Sequence, residues 1–228
     1  MHLYENFIVT FISEQRWKFF LNGFLMTIIL SMSTFILGTI FGALICWLRF
    51  SKSKVVVKIA NVLNGFFVQL PTLVLLMIMV YIIFGESSLS VLVVVIFGLS
   101  LKSASYISDI FYSAIVATNE GEAEAARALG MNKTQAFIYI TLPQAVKNSL
   151  SVYKNQFITT LQETSIASSL AVQELTKASE IVTSRTLNAL FSLICVSILY
   201  LLIGYAGTAF ISLLEHDKHL GDELKWYK

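Results

Sequence analysis

Long apolar runs and short polar breaks alternate along the chain. The first run extends from about Phe20 to Leu48 and stops at Arg49-Phe50-Ser51-Lys52-Ser53-Lys54, with Lys58 just beyond. The second covers about Ile59 to Phe84 and is interrupted by Gln69 and Pro71. Proline removes a backbone donor, so a kinked helix is expected there. After the turn Gly85-Glu86-Ser87-Ser88, a third run from Leu89 to Ile115 begins apolar and is then punctuated by Lys102, Ser103, Ser105, Tyr106, Ser108 and Asp109. Residues 117–142 form a polar island. The stretch from Pro143 to Val172 is rich in amides and hydroxyls, among them Asn148, Asn155, Gln156, Thr159, Thr160, Gln162, Thr164 and Ser165, yet has no Gly or Pro after Pro143 and reads as a fourth helix. Residues 173–187 are polar again, Leu187 to Leu214 make a fifth run, and a charged tail follows. The long runs suffice to cross roughly 30 Å of hydrocarbon. The pattern predicts an all-α integral membrane protein of five spans. Residues 1–18 mix Phe7, Ile8, Phe11, Ile12 and Trp17 with charges and read as an interfacial amphipathic segment. The expected division is 1–18, a membrane domain at 19–215 and a tail at 216–228.

Composition supports the membrane reading: 56% of residues are hydrophobic and 13% charged, where soluble domains carry about 25% charged residues. At 228 residues the chain is expected to hold several spans and no separate soluble domain. A net charge of +2 gives no reason to expect nucleic acid. The placement of the charges says more. With the N-terminus outside, the inside segments hold Arg49, Lys52, Lys54, Lys58, Arg127, Lys133, Lys147, Lys154, Lys218, Lys225 and Lys228, against Arg16, Lys18, Lys177 and Arg185 outside. That asymmetry favours N-out and C-in. The early charges and the length of the first run argue against a cleaved signal peptide. Cys46 and Cys195 lie in apolar runs without metal-ligand spacing and read as small hydrophobes. Gly38-x-x-x-Gly42 permits close approach of a neighbouring helix.

The island carries the chemistry. Gly121-Glu122-Ala123-Glu124-Ala125-Ala126-Arg127-Ala128-Leu129 is composed of strong helix formers after its glycine. Its early acids suit the positive end of the helix dipole. Gly130 suits the left-handed residue that ends a helix, and Asn132 suits the cap of a second helix running to Tyr139. Pro143 biases Leu142 away from helix, so a break is expected there, with Pro143 opening the next helix. Ala125, Ala126 and Ala128 form a small face over which a partner can close, as in helix-in-groove docking.

These residues resemble a known motif. Glu124-Ala125-Ala126, then Gly130, then Ile140-x-Leu142-Pro143 is similar to the EAA motif of bacterial ABC-importer permeases. Asn22-Gly23 with Thr27 and Ser31, the stretch Ser103 to Phe111, and Leu161-Gln162-Glu163-Thr164-Ser165-Ile166 look like the polar amino acid permease subfamily; together they cover about residues 22–212. The chain departs at Val68-Gln69-Leu70, where the subfamily usually has Arg-Gly-Thr before the proline, at Gln162 (usually Lys) and at Lys102 (often Asn). The resemblance implies a type I importer permease fold in the bacterial cytoplasmic membrane. It also implies pairing with a second copy or paralogue, two cytoplasmic ATPase subunits that hold ATP and Mg, and an extracytoplasmic solute-binding protein. Gly121, Glu124, Ala125, Ala126, Gly130, Leu142 and Pro143 then fall in the ATPase-coupling loop. Moving a transporter from 1:99 to 99:1 between two states takes about 5.5 kcal/mol. This chain has no G-x-x-x-x-G-K-[ST] phosphate loop, so it is not expected to be an enzyme or to bind a cofactor itself.

Lys102, Asp109, Lys154 and Glu163 fall in or near embedded stretches, where ionisable groups are costly and commonly mark a transport path. Lys102 and Glu163 are candidates to hold a solute's carboxylate and ammonium, with Tyr106, Thr164 and Ser165 along the same path; the alternatives are a structural ion pair and snorkelling. Asp109 reads as solvated near the cytoplasmic end. His216-x-x-His219 reads as a hydrated tail rather than a metal site. Two other classes compete. A self-sufficient secondary transporter would explain the embedded charges but would leave the island idle. A membrane enzyme would need a nucleophile–base or metal motif that the sequence does not offer.

Overall fold

The computed structural model describes residues 2–223, the side chains of 2, 3, 6 and 214–223 excepted. Helix α1 (His2–Phe7) runs through a π turn (Ile8–Ile12) into a tight turn at Ser13–Gln15. There Arg16 folds back, its guanidinium donating to the Val9 carbonyl at 2.6 Å and pairing with Glu14 at 3.0 Å. Phe11 packs on Phe20, so this segment closes over the end of the bundle at which α2 begins.

Helix α2 (Trp17–Arg49) shows how a span sorts its residues. Its inward stripe is small or polar: Gly23, Thr27, Ser31, Thr34, Gly38 and Gly42, with Phe20, Leu30, Phe35 and Cys46 between them. Its outward stripe is Leu21, Leu25, Ile29, Ile36, Ile40, Leu44 and Trp47. Lipid is as apolar as leucine, so close packing and hydrogen bonds hold such helices together. The main partner of α2 is α5 (Val91–Val116). A Cβ on Gly38 would lie 2.8 Å from the Ser103 hydroxyl, and one on Gly42 would lie 2.8 Å from the Ala104 carbonyl. The GxxxG pair thus allows these two backbones to touch.

The second apolar run is more sharply divided than a kinked span. Helix α3 (Lys54–Gln69) and helix α4 (Thr72–Met77), which a π turn extends to Ile83, meet at 105° across Leu70-Pro71. Both junction residues are extended, with ψ 129° at Leu70 and 132° at Pro71, as the proline ring demands of its predecessor.

Helix α6 (Glu120–Ala128) and helix α7 (Lys133–Ala136) form the island. The break expected at Leu142 is absent. Leu142 is helical (φ −63°, ψ −44°), and α7 passes through a π turn at Phe137–Thr141 directly into α8 (Leu142–Glu163). The Leu142 amide donates to the Phe137 carbonyl, five residues back. That wider register gives room beside Pro143, whose ring and missing donor a plain α-helix tolerates poorly. Beyond Glu163 the chain tightens into 3-10 turns (Thr164–Leu170) and ends at Ala171, in the left-handed region at φ 61°. Helix α9 (Leu175–Thr186) lies against α2 and α10 (Ala189–Glu223). Leu187 closes α9 at φ 53°, so the last span starts two residues later than the apolar run suggests. The helix continues into the segment expected as a tail; residues 224–228 and the His216 and His219 side chains lie outside the described residues.

By length and composition Trp17–Arg49, Val91–Val116 and Ala189–Leu213 qualify as spans, and the bent pair makes a fourth if counted as one. Helix α8 does not qualify on composition, because its amides and hydroxyls dilute its hydropathy.

Candidate functional site

The sequence candidates fall at two places, the end of the island and the break before Pro71. At the island, Asn119 caps α6 by accepting from the Gly121 amide at 3.0 Å, and Glu120 and Glu122 occupy its first turn. Gly130 stands at φ 102°, and the Met131 amide returns to the Ala126 carbonyl at 3.2 Å. This is the closure that ends helices on a left-handed glycine. Asn132 and Gln135 complete a capping box, each side chain accepting from the other's amide at 2.9 Å. Ala126 is buried and seats α6 on α7 and its π turn. Glu122 accepts a hydrogen bond from Gln144 of α8, which ties the docking segment to the long helix. Glu124, Ala125, Ala128 and Leu129 face outward, Leu129 at 89% exposure. Of the expected small face, Ala125 and Ala128 are open to a partner and Ala126 is occupied by its own chain.

At the break, Lys102 of α5 is 4% exposed. Its ammonium donates to the Val68 carbonyl at 3.0 Å and to the Leu70 carbonyl. Tyr106, one turn on, donates to the same Val68 carbonyl at 3.4 Å, and its ring lies 5.5 Å from the Lys102 nitrogen. The last carbonyls of a helix lack intrahelical partners and carry its negative end. Lys102 therefore caps α3 where Pro71 ends it. Across the same break, Thr72, the first residue of α4, donates to Glu163 at 3.0 Å. Glu163 is half-buried and interacts coulombically with Lys102, without a direct ion pair between them. The Thr164 hydroxyl turns back to the Leu161 carbonyl and that of Ser165 to Gln162, both at 2.7 Å. The structure brings Lys102, Tyr106 and Glu163 to one place and gives Thr164 and Ser165 bonds within their own helix. Beside them, a groove of about 590 Å³ between α8 and α10 is lined by Gln162, Ser165, Tyr200, Tyr205 and Thr208, among others.

Asp109, read from sequence as solvated, proves structural, as do Thr72 and Glu174, which the sequence did not single out. Asp109 is bonded rather than merely solvated: Arg49 reaches it at 2.7 Å and Asn64 at 3.0 Å, joining α2, α3 and α5 where α2 ends, while the Arg49 guanidinium stacks 4.1 Å above Tyr112. Thr72 holds Glu163; its only signal is its place after Pro71. Glu174 is fully buried and caps α9, accepting from the Thr176 and Lys177 amides at 2.8 Å each and from the Tyr200 hydroxyl at 2.7 Å. Burial pushes this carboxyl above its ordinary value, against the opposing pull of those donors. Among the described residues no cluster of His, Cys, Asp and Glu is arranged to hold a metal ion.

Residues 35–219 match the model of a family described as the binding-protein-dependent transport system inner membrane component. The chain belongs to this family. The permease is similar to the probable amino-acid permease protein YxeN of Bacillus subtilis, at 32% identity over 195 residues covering 81% of this chain and 87% of that one. It is also similar to the probable glutamine ABC transporter permease protein GlnP of the same organism, at 29% identity over 178 residues covering 76% and 80%. Among solved structures, an amino acid ABC transporter crystallised with histidines matches with a TM-score of 0.80 and 28% identity, covering 91% of this chain and 98% of that one. The methionine transporter MetNI, in an inward-facing form, shares the fold with a TM-score of 0.70 at 18% identity over 88% and 98% of the chains. The permease is thus an ABC-importer membrane subunit, all-helical among the described residues, with several apolar helices.

Proposed function

We propose that this permease forms the path for a polar amino acid across the bacterial cytoplasmic membrane, with five spans, N-terminus out and C-terminus in. Two copies, or one copy and a paralogue, enclose the path. A solute-binding protein delivers the amino acid outside, and a pair of cytoplasmic ATPase subunits, holding ATP and Mg, supplies the energy. The observation that carries this reading is the island. A short, doubly capped helix exposes Glu124, Ala125, Ala128 and Leu129 and is followed, after the turn at Gly130, by α7, which runs without interruption into the helix bearing Glu163. A partner that grips α6 moves Glu163.

Within the path, Glu163 is the charge with capacity to spare, since one carboxylate oxygen is engaged by Thr72. It suits a solute's ammonium group by a charge-assisted bond. Lys102 is committed to two carbonyls, so its part is to hold the break beside Glu163 in shape. The exposed amides Asn155 and Gln162 on α8 are unsuited to lipid and fit the second subunit or the water-filled path. Co-expression with the cognate ATPase tests the reading. The ATPase is expected to co-purify with the wild-type permease and to be lost from the double variant Glu124→Lys, Gly130→Val. Solute uptake by vesicles containing this chain alone, at the rate of the full complex, would refute it.

A further inference from the structure

The elbow between α2 and α3 holds a cationic cavity. Ser51, Lys52, Lys54, Val57, Lys58, Asn61 and Val62 line an open cavity of about 490 Å³. Its three lysines make no hydrogen bond or ion pair among the described residues, and no carboxylate lines the cavity. The nearby Arg49–Asp109 pair shows that this chain does neutralise a cation where it wants one neutralised. Ser53, at the N-cap of α3, makes no side-chain bond to the first turn, so that turn's amides add to the positive end of the cavity.

An apolar track adjoins the cavity. Val55, Ile59, Val62 and Phe66 recur along α3 at helical spacing and are all more than half exposed, and Trp47 of α2 is 70% exposed just before the elbow. A soluble anion would use only the lysines. A phospholipid uses both surfaces, its phosphate among the lysines and its acyl chains along Trp47 and the α3 track. Juxtamembrane lysines attract anionic headgroups on these grounds.

We propose that the α2–α3 elbow is a binding site for one anionic phospholipid, held through its phosphate by Lys52, Lys54 and Lys58. The site lies apart from the docking helix and from the Glu163 region, and it does not depend on which solute is carried.

Trp47 is a built-in reporter. In the full chain with Trp17→Phe and Trp226→Phe it is the sole tryptophan. The permease is reconstituted in phosphatidylcholine vesicles containing a minor fraction of brominated phosphatidylglycerol or, in parallel, brominated phosphatidylcholine. Trp47 quenching is expected to report local enrichment of the anionic lipid by about fivefold over the zwitterionic one. Lys52→Gln, Lys54→Gln, Lys58→Gln should abolish that preference while leaving quenching by brominated phosphatidylcholine unchanged, which shows that the elbow still meets the bilayer. Lys133→Gln, Lys147→Gln, which removes charge elsewhere, should preserve it. Equal quenching by the two lipids in the parent protein overturns the proposal. So does a preference that survives the triple variant, that vanishes equally in the Lys133, Lys147 variant, or that inorganic phosphate abolishes at constant ionic strength. The last outcome would assign the cavity to a free anion.

Discussion

Lys102 and Glu163 are charged residues about which the sequence and the structure say different things. From sequence they form a complementary pair for a zwitterion. In the folded chain Lys102 is spent on the Val68 and Leu70 carbonyls, which Pro71 leaves without partners. Lys102→Met strands the Leu70 carbonyl and leaves that of Val68 only the longer bond from Tyr106. A buried unsatisfied polar group costs about 1–3 kcal/mol, so the thermal midpoint in detergent should fall clearly. Glu163→Gln keeps an acceptor for Thr72, and its midpoint should stay within about 0.5 kcal/mol of wild type. Its uptake of ammonium-bearing solutes should weaken by at least about tenfold, since hydrogen bonds to charged groups contribute about 1.5–3 kcal/mol. Wild-type affinity in Glu163→Gln would remove the carboxylate from the path. The identity of these residues was legible in the sequence because a charge in an apolar run stands out. Their partners were not, because backbone carbonyls at a helix break leave no mark in a list of side chains.

The elements divide between those that announce themselves and those that need the fold. The left-handed Gly130 and the Asn132 cap follow from local chemistry and were readable in order, whereas the Asn119 cap and the part of Gln135 in the box came only with the structure. The π turn at Phe137–Thr141 was not. Proline rules favour a break at Leu142, and the chain instead shifts hydrogen-bond register to carry the helix past Pro143. Spacing also announced the GxxxG pair, but only the fold shows that both glycines face one helix. Gly42→Val is therefore expected to destabilise by about 1–3 kcal/mol through overpacking against Ala104 and Ile107. Gly65→Ala, whose Cβ would meet only the Gln69 amide at 3.7 Å, should be neutral or stabilising by up to about 1 kcal/mol. Denaturation of both variants in the same detergent makes the comparison. A Gly42→Val protein as stable as wild type would argue against the close α2–α5 contact.

At the scale of the molecule, the end of the bundle at which α2 begins is closed by a device invisible to hydropathy. Helix α9, at 12 residues, is too short to span, yet it locks α2 to α10 through the buried Glu174. Because burial raises this carboxyl, the folded state keeps a proton that the unfolded chain has already lost. Stability therefore falls as pH rises from the ordinary glutamate value through the raised one. Melting curves across that window should show wild type losing ground to Glu174→Gln as pH increases, and a pH-independent gap would dismiss the effect. The opposite end has a different character. From Lys133 to Glu163 the backbone never leaves helical geometry, a length of about 46 Å at 1.5 Å per residue. A connecting rod of that kind has almost no backlash. On the proposed coupling, a stroke taken up by α6 would cross the turn at Gly130 and then travel along this rod to the half-buried carboxylate, past a single widened turn beside a proline.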